Sequence, residues 1–390
     1  MQPFTGNAIE EAMRLAREQN PIGATRLLLN RLSVGRFKTP TQPAPEERGN
    51  PAQPRIDSRV GVTSGAEGPA TRLRMPLGET LARLRSGEVP SFGLDPEALS
   101  KLGKRPKVLV PEGASYLSRE FIGTAGARRY KVYVPSKLRG ARAPLLVMLH
   151  GCTQNPDDFA VGTGMNRLAE ELGFIVAYPE QPAADNQMRC WNWFDQKHQL
   201  RDCGEPSIIA GLTRALISEM NLDRERVFVA GLSAGGAMAD VMSVTYPDLY
   251  AAAGIHSGLA YGVAADQASA FMAMSGKSQQ CRQRFARNRV RTVIFHGARD
   301  AKVHPINAER ILTEARAGIS GDCEETTQRG MSNGLQYQRT VVADAAGVQL
   351  EYWAIEGLGH AWCGGSPEGS HTERRGPDAS REMLRFFLES

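Results

Sequence analysis

Three residues of this chain, Ser233, Asp300 and His360, are of the types and in the order that could attack a carbonyl carbon. Ser233 lies in Gly231-Leu232-Ser233-Ala234-Gly235, between the apolar run Arg226-Val227-Phe228-Val229-Ala230 and a stretch of small helix formers from 236 to 242. Strand, G-x-S-x-G turn and helix together lift a hydroxyl clear of a sheet edge, at the positive end of a helix. The flanking glycines suit a turn too tight for a Cβ. At neutral pH a serine needs a base within hydrogen-bond reach, and the base needs an orienting carboxylate. Asp300 closes Phe295-His296-Gly297-Ala298-Arg299-Asp300, a strand ending in a glycine turn and an acid. His360 sits in Glu356-Gly357-Leu358-Gly359-His360-Ala361-Trp362, on a loop that can reach into a cleft. Asp240, inside the helix after Ser233, faces the wrong way to orient a histidine.

Acyl transfer also needs donors for a developing oxyanion. The backbone N–H of Ala234 is one candidate. The other is the N–H of Cys152, in the glycine turn His150-Gly151-Cys152-Thr153-Gln154 directly after an apolar strand. The thiol of Cys152 plays no part in that reading. His256 and His296 end strands and are expected to satisfy local backbone groups, while His304 is expected to line the cleft. His296, Asp300 and His304 recur at four-residue intervals, but the segment starts as a strand and contains Pro305, so no metal is expected there. Asn307 is nearer than Asp300 to the helix expected over 307–317, and is the better N-cap. The chemistry requires no cofactor.

The elements that must hold these residues are legible as apolar runs. Alternation over 130–135 and continuous apolar character over 144–150, 174–179, 226–230, 251–256, 291–297 and 350–354 predict strands. Helices are predicted around 162–172, 205–220, 307–317 and 380–387. Buried strands alternating with helices imply an α/β fold: a mostly parallel sheet covered on both faces. The spacing is 67 residues from Ser233 to Asp300 and 60 more to His360, so each gap has room for another strand–helix unit.

Three regions are expected along the 390 residues. Residues 1–34 read as a small helical segment, an appendage or a docking element. Residues 35–112 read as a Pro/Gly-rich basic linker, unable to bury enough surface to offset its ordering entropy. Residues 113–390 form the catalytic domain. The basic character belongs to the front, because residues 1–110 hold 17 Lys+Arg against 11 Asp+Glu, which leaves −1 of the +5 net charge for the rest. The catalytic part therefore carries no nucleic-acid footprint. No run approaches the roughly 18 apolar residues of a membrane span. The first residues lack a charged stretch followed by an apolar one, so no signal peptide is expected and a cytoplasmic location is the default. Six cysteines are too few for a disulfide scaffold, and they are expected to be reduced. Cys190 and Cys203 flank a short loop and would be the pair formed in an oxidising compartment.

The four motifs around His150, Ser233, Asp300 and His360, with Arg189-Cys190-Trp191-Asn192-Trp193-Phe194 and Gly204-Glu205-Pro206, resemble the polyhydroxybutyrate depolymerase family of α/β-hydrolase esterases. That family is similar to feruloyl and acetylxylan esterases. The resemblance covers about 115–390, and the front end is also similar to that of bacterial members. It implies an α/β-hydrolase fold, with Ser233 as nucleophile, Asp300 as orienting acid and His360 as base. It further implies that the cluster Trp191, Asn192, Trp193 and Phe194, together with Trp362, lines an acyl or polymer cleft. Where many relatives carry Ser-Gly-Gly after the tryptophan, this chain has Cys363-Gly364-Gly365, which would put an oxidisable thiol near the site. The expected substrate is a 3-hydroxyalkanoate polyester or oligomer, with plant cell-wall esters as the alternative. A reading of another class makes the basic front segment a module that binds a polymer-granule surface. Many relatives act outside the cell, so an extracellular location is the alternative to the cytoplasm.

Overall fold

The computed structural model describes residues 106–138, 142–278, 290–319 and 321–389. The helical segment expected over 1–34 and nearly all of the 35–112 linker lie outside these residues.

The longest apolar runs become the middle of the sheet. In chain order, β1 (Ser115–Gly123) and β2 (Gly126–Val134) form a hairpin, followed by β3 (Leu145–Leu149), α1 (Pro156–Thr163), α2 (Met165–Leu172) and β4 (Ile175–Pro179). Then come α3 (Gly204–Glu219), β5 (Val227–Leu232), α4 (Ala234–Thr245), β6 (Ala252–His256), α5 (Gln267–Met274), β7 (Arg291–Gly297) and α6 (Ile306–Ala317). The remainder is β8 (Glu324–Ser332), β9 (Leu335–Asp344), β10 (Gly347–Ile355), the short pair β11 (Trp362–Cys363) and β12 (Thr372–Glu373), and α7 (Ala379–Leu388). The ten-stranded sheet has the order β1-β2-β4-β3-β5-β6-β7-β10-β9-β8. Six parallel strands, β4 to β10 in that order, are flanked on each side by an antiparallel pair.

Each central strand feeds both faces because side chains alternate along it. Leu145, Val147, Leu149, Val227 and Val229 pack with α3, α4 and residues of α5 and α6 in one cluster. Leu146, Met148, Phe228 and Ala230 pack with α1, α2 and α7 in the other. All residues of β3, β4, β5 and β6 are buried. Fully burying a Leu, Ile or Phe side chain contributes about 1.5–3 kcal/mol, so these runs anchor the domain.

Two expectations change. The gap between Asp300 and His360 holds α6 and then an antiparallel hairpin, β8–β9, in place of a strand–helix unit. The β8 strand is almost wholly exposed and polar, which hid it from a search for apolar runs. Its turn was legible: Asn333 and Gly334 both take positive φ, 41° and 82°, as the tightest hairpin turns require. At the start of α6, Pro305 rather than Asn307 stands at the N-cap. Asn307 is buried instead and donates to the Ala273 and His304 carbonyls.

Candidate active site

The elbow is built by close approach of backbone. A Cβ on Gly231 would collide with the carbonyl of Gly235, and one on Gly235 with the carbonyl of Leu149 at the end of β3. Without side chains at these positions, β5 can turn at once into α4. Ser233 at the apex takes φ 58° and ψ −118°, outside the ordinary basins for a residue with a Cβ. Such strain persists only where the surroundings enforce it, and here the Ser233 N–H is held by the His256 carbonyl at 2.9 Å.

Asp300 and His360 arrive from β7 and β10, neighbouring parallel strands. Gly297, at the end of β7, lies so close to the 358–359 backbone that a Cβ there would meet the carbonyls of Leu358 and Gly359. The Ala298 and Arg299 N–H groups donate to Ile355 and Leu358, which locks the two loops side by side. His360 Nδ1 lies 2.7 Å from Asp300 Oδ2, and His360 Nε2 lies 2.9 Å from Ser233 Oγ. The structure thus joins the three residues in one hydrogen-bonded chain. Asp300 Oδ1 accepts from the N–H groups of Lys302 and Val303, both at 2.9 Å. Burial alone would raise the Asp300 carboxyl, but the His360 hydrogen bond and charge, with the Val303 N–H, outweigh it. The carboxyl is held below its ordinary range.

The second wall is the turn after β3. Gly151 N–H donates to Gln154 Oε1 at 2.9 Å, and Thr153 N–H donates to the Met188 carbonyl at 2.6 Å. Cys152 lies between them. Ala234 opens α4, so its N–H has no acceptor inside the helix. His150 is buried behind this turn: its Nε2 accepts the Gln181 N–H at 3.0 Å, leaving Nδ1–H to donate to Gly151 O at 2.8 Å. Burial pushes its pKa down to about 4. His256 repeats the pattern, with Nε2 accepting the Cys363 N–H at 3.1 Å and burial pushing its pKa down to about 3. His296 Nε2 lies 2.9 Å from the Val303 carbonyl and 3.5 Å from Asp300 Oδ2, so it braces the acid's loop.

The tryptophans expected to line the cleft are buried. Trp191 and Trp362 are 0% and 1% exposed, and Trp193 is 6% exposed. Trp191 donates from Nε1 to the His150 carbonyl at 3.1 Å, and Trp362 stacks on His256 and donates to Ser380 Oγ. They support the walls from behind. Asn192 is tied down by the buried Glu205 carboxylate, through its N–H at 2.8 Å and its Nδ2 at 2.7 Å. His304 stays exposed before α6, its Nδ1 accepting the Ile306 N–H at 3.2 Å.

The cysteine expectations also change. Cys152 is bonded to Cys190, while Cys203 is free. Residues 38 apart in sequence were brought together by the folding of the 150–154 and 186–192 loops, which no spacing argument could anticipate. Cys363 is no oxidisable thiol at the site: it is buried, and burial with the nearby Glu373 and Asp378 pushes it up to about 12. No motif marks Asp158, which accepts from Gln154 Nε2 at 2.9 Å and from Ser370 N–H at 2.9 Å.

A parallel sheet with a serine at positive φ between β5 and α4, and an acid and a histidine on later strand-end loops, defines an α/β-hydrolase. Residues 128–331 match the model of the Esterase PHB depolymerase family, and the chain belongs to that family. The matched segment includes Ser233 and Asp300 and ends before His360. The chain is 32% identical over 240 residues to poly(3-hydroxyalkanoate) depolymerase C of Paucimonas lemoignei; the match covers 58% of this chain and 57% of that protein. It is 28% identical over 298 residues to acetylxylan esterase A of Talaromyces purpureogenus, covering 69% and 76%. Among solved structures, the acetyl xylan esterase from Aspergillus awamori superposes with a TM-score of 0.56 at 23% identity, covering 71% of this chain and all of that one. That likeness speaks for the fold.

Proposed function

We propose that this protein is a serine esterase acting on 3-hydroxyalkanoate esters, with Ser233 as nucleophile, His360 as general base and Asp300 as orienting acid. The observation that carries the reading is the continuous hydrogen-bond chain from Ser233 Oγ through His360 to Asp300, at 2.9 and 2.7 Å. In the first step Ser233 Oγ bonds to the ester carbonyl carbon while its proton passes to His360 Nε2. The ionised Asp300 stabilises the resulting imidazolium and keeps the Nδ1–H tautomer in place. The carbonyl oxygen becomes an oxyanion facing the N–H groups of Cys152 and Ala234. Its collapse expels the alcohol, which takes the proton from His360. Water, giving a proton to the same nitrogen, then attacks the acyl-enzyme, and the adduct collapses as His360 returns that proton to Ser233 Oγ and the acid is released.

The substrate class rests on the family match and on the depolymerase relative. It also draws on Met188, 58% exposed beside the Thr153 turn, whose thioether offers apolar surface to an alkanoate side chain. A carbohydrate ester is the second reading, favoured by the longer match to the acetylxylan esterase. The Cys152–Cys190 bridge favours the extracellular alternative, since disulfides persist in oxidising compartments. The test is a side-by-side assay of hydroxybutyrate oligomers, amorphous polyhydroxybutyrate, acetylated xylan and feruloylated sugars. The hydroxybutyrate oligomers are expected to give the highest kcat/KM. A higher value on either carbohydrate ester would overturn the substrate assignment.

A further inference from the structure

Two residues with left-handed backbones meet across the mouth of the site. Thr153 has φ 67° and His371 has φ 53°, and Thr153 Oγ1 lies 3.3 Å from His371 Nε2. Positive φ is costly for any residue with a Cβ, and most of all for a β-branched one such as threonine. Thr153 Oγ1 donates its proton to the Cys152 carbonyl at 2.6 Å. It can therefore only accept from His371, which fixes the proton on His371 Nε2. Burial, with Lys302 and His360 nearby, lowers the pKa of the His371 imidazole. His371 is anchored in turn: its carbonyl accepts the Trp362 N–H at 2.7 Å, two residues beyond His360. β12 pairs with β11 from the very next residue.

A second tie runs in parallel. Gln154 accepts the Gly151 N–H through Oε1 and donates through Nε2 to the Ser370 carbonyl at 3.1 Å. Gly151 and Thr153 bracket Cys152, and both are held, through side chains, to consecutive residues 370 and 371. The peptide whose N–H would face the oxyanion is thus referenced to the loop that carries the base.

We propose that His371 and Thr153 form a positioning pair that holds the Cys152 amide at the oxyanion, coupling the donor loop after β3 to the loop that presents His360. The pair rests on the esterase reading and touches neither substrate nor nucleophile. A rigid donor acts mainly in the transition state, so its loss is read in kcat rather than KM.

The test compares His371→Ala, His371→Gln, Thr153→Val and Ser233→Ala on a soluble p-nitrophenyl butyrate. Each is also titrated with an alkyl trifluoromethyl ketone. That ketone adds Ser233 Oγ to its carbonyl carbon, passes the serine proton to His360 and leaves an oxyanion at the Cys152 and Ala234 amides. Removing a whole oxyanion donor costs about 100- to 1,000-fold, so misplacing one in His371→Ala is expected to lower kcat by about 10- to 100-fold. KM should stay within about twofold, because the interaction strengthens only in the transition state. Ketone affinity should fall by the same factor as kcat, and His371→Gln, which restores an N–H donor, should recover most of both. Thr153→Val should reproduce the loss, and it carries the same test should His371→Ala not fold. Unchanged kcat in both alanine and valine variants, or a fall in kcat with full ketone affinity, overturns the proposal. Activity surviving in Ser233→Ala would instead overturn the esterase reading on which it rests.

Discussion

In the proposed mechanism Ser233, His360 and Asp300 each depend on the next for a role that none performs alone. The serine needs His360 Nε2 unprotonated, and that nitrogen is free only while Asp300 fixes the proton on Nδ1. Replacing Asp300 with Asn keeps the size but lets the side-chain amide donate to Nδ1. The ring proton then moves to Nε2, and the base is lost. Asp300→Asn is expected to lower kcat by roughly 10⁴-fold with KM little changed, as for the same loss of tautomer in serine proteases. A steady-state assay that found less than a tenfold drop would place the orienting acid elsewhere. The convergence of the three residues was legible in the sequence because each follows a strand's end near a glycine, where close backbone approach is possible. The tryptophans misled, since residue type cannot tell a cleft wall from the packing behind it. Trp191 and Trp362 give their N–H groups to buried acceptors, and only the folded geometry reveals those partners.

At the scale of elements, the site is made where loops after β3, β5, β7 and β10 converge. The β3 loop is the most heavily braced. A disulfide fixes Cys152 to Cys190, and Trp191, the next residue, donates to the His150 carbonyl at the foot of the same loop. Behind it Glu205 and Gln181 hydrogen-bond each other at 2.7 Å in the buried interior. Closing a loop of this length stabilises a fold by about 2–4 kcal/mol. Reduction of the bridge, or the Cys152→Ser/Cys190→Ser pair, is expected to lower kcat by about 10- to 100-fold, because small displacements of catalytic groups carry such costs. Steady-state kinetics on fully reduced, still folded protein make the check; unchanged kcat would separate the bridge from the oxyanion donor. The central strands were readable as apolar runs because both of their faces are buried. The β8–β9 hairpin was not, since its outer strand exposes polar residues on both sides and only Asn333-Gly334 marks the turn.

Across the whole molecule, the buried histidines make stability depend on acid. His150 and His256 hold no charge when folded, their values pushed from 6.5 down to about 4 and about 3 by burial. In the unfolded chain both take up a proton below pH 6.5, while the folded protein does not. The unfolded state therefore binds more protons, and stability falls as pH drops from 6.5 toward those folded values. Each histidine contributes a slope of about 1.4 kcal/mol per pH unit through that window. Guanidinium unfolding at pH 7, 6, 5 and 4.5 measures it, and a free energy constant below pH 6 would mean that the two rings are hydrated or charged in the fold.

The central claim is that Ser233 is the attacking group. The most direct measurement is mass spectrometry of the protein treated with an alkyl fluorophosphonate, which bonds to an activated serine oxygen with loss of fluoride, set beside the activity of Ser233→Ala. One phosphonyl group on Ser233, proportional loss of ester hydrolysis, and an inactive, unlabelled variant are the predicted result. Label on another residue, or hydrolysis that persists in Ser233→Ala, would contradict it.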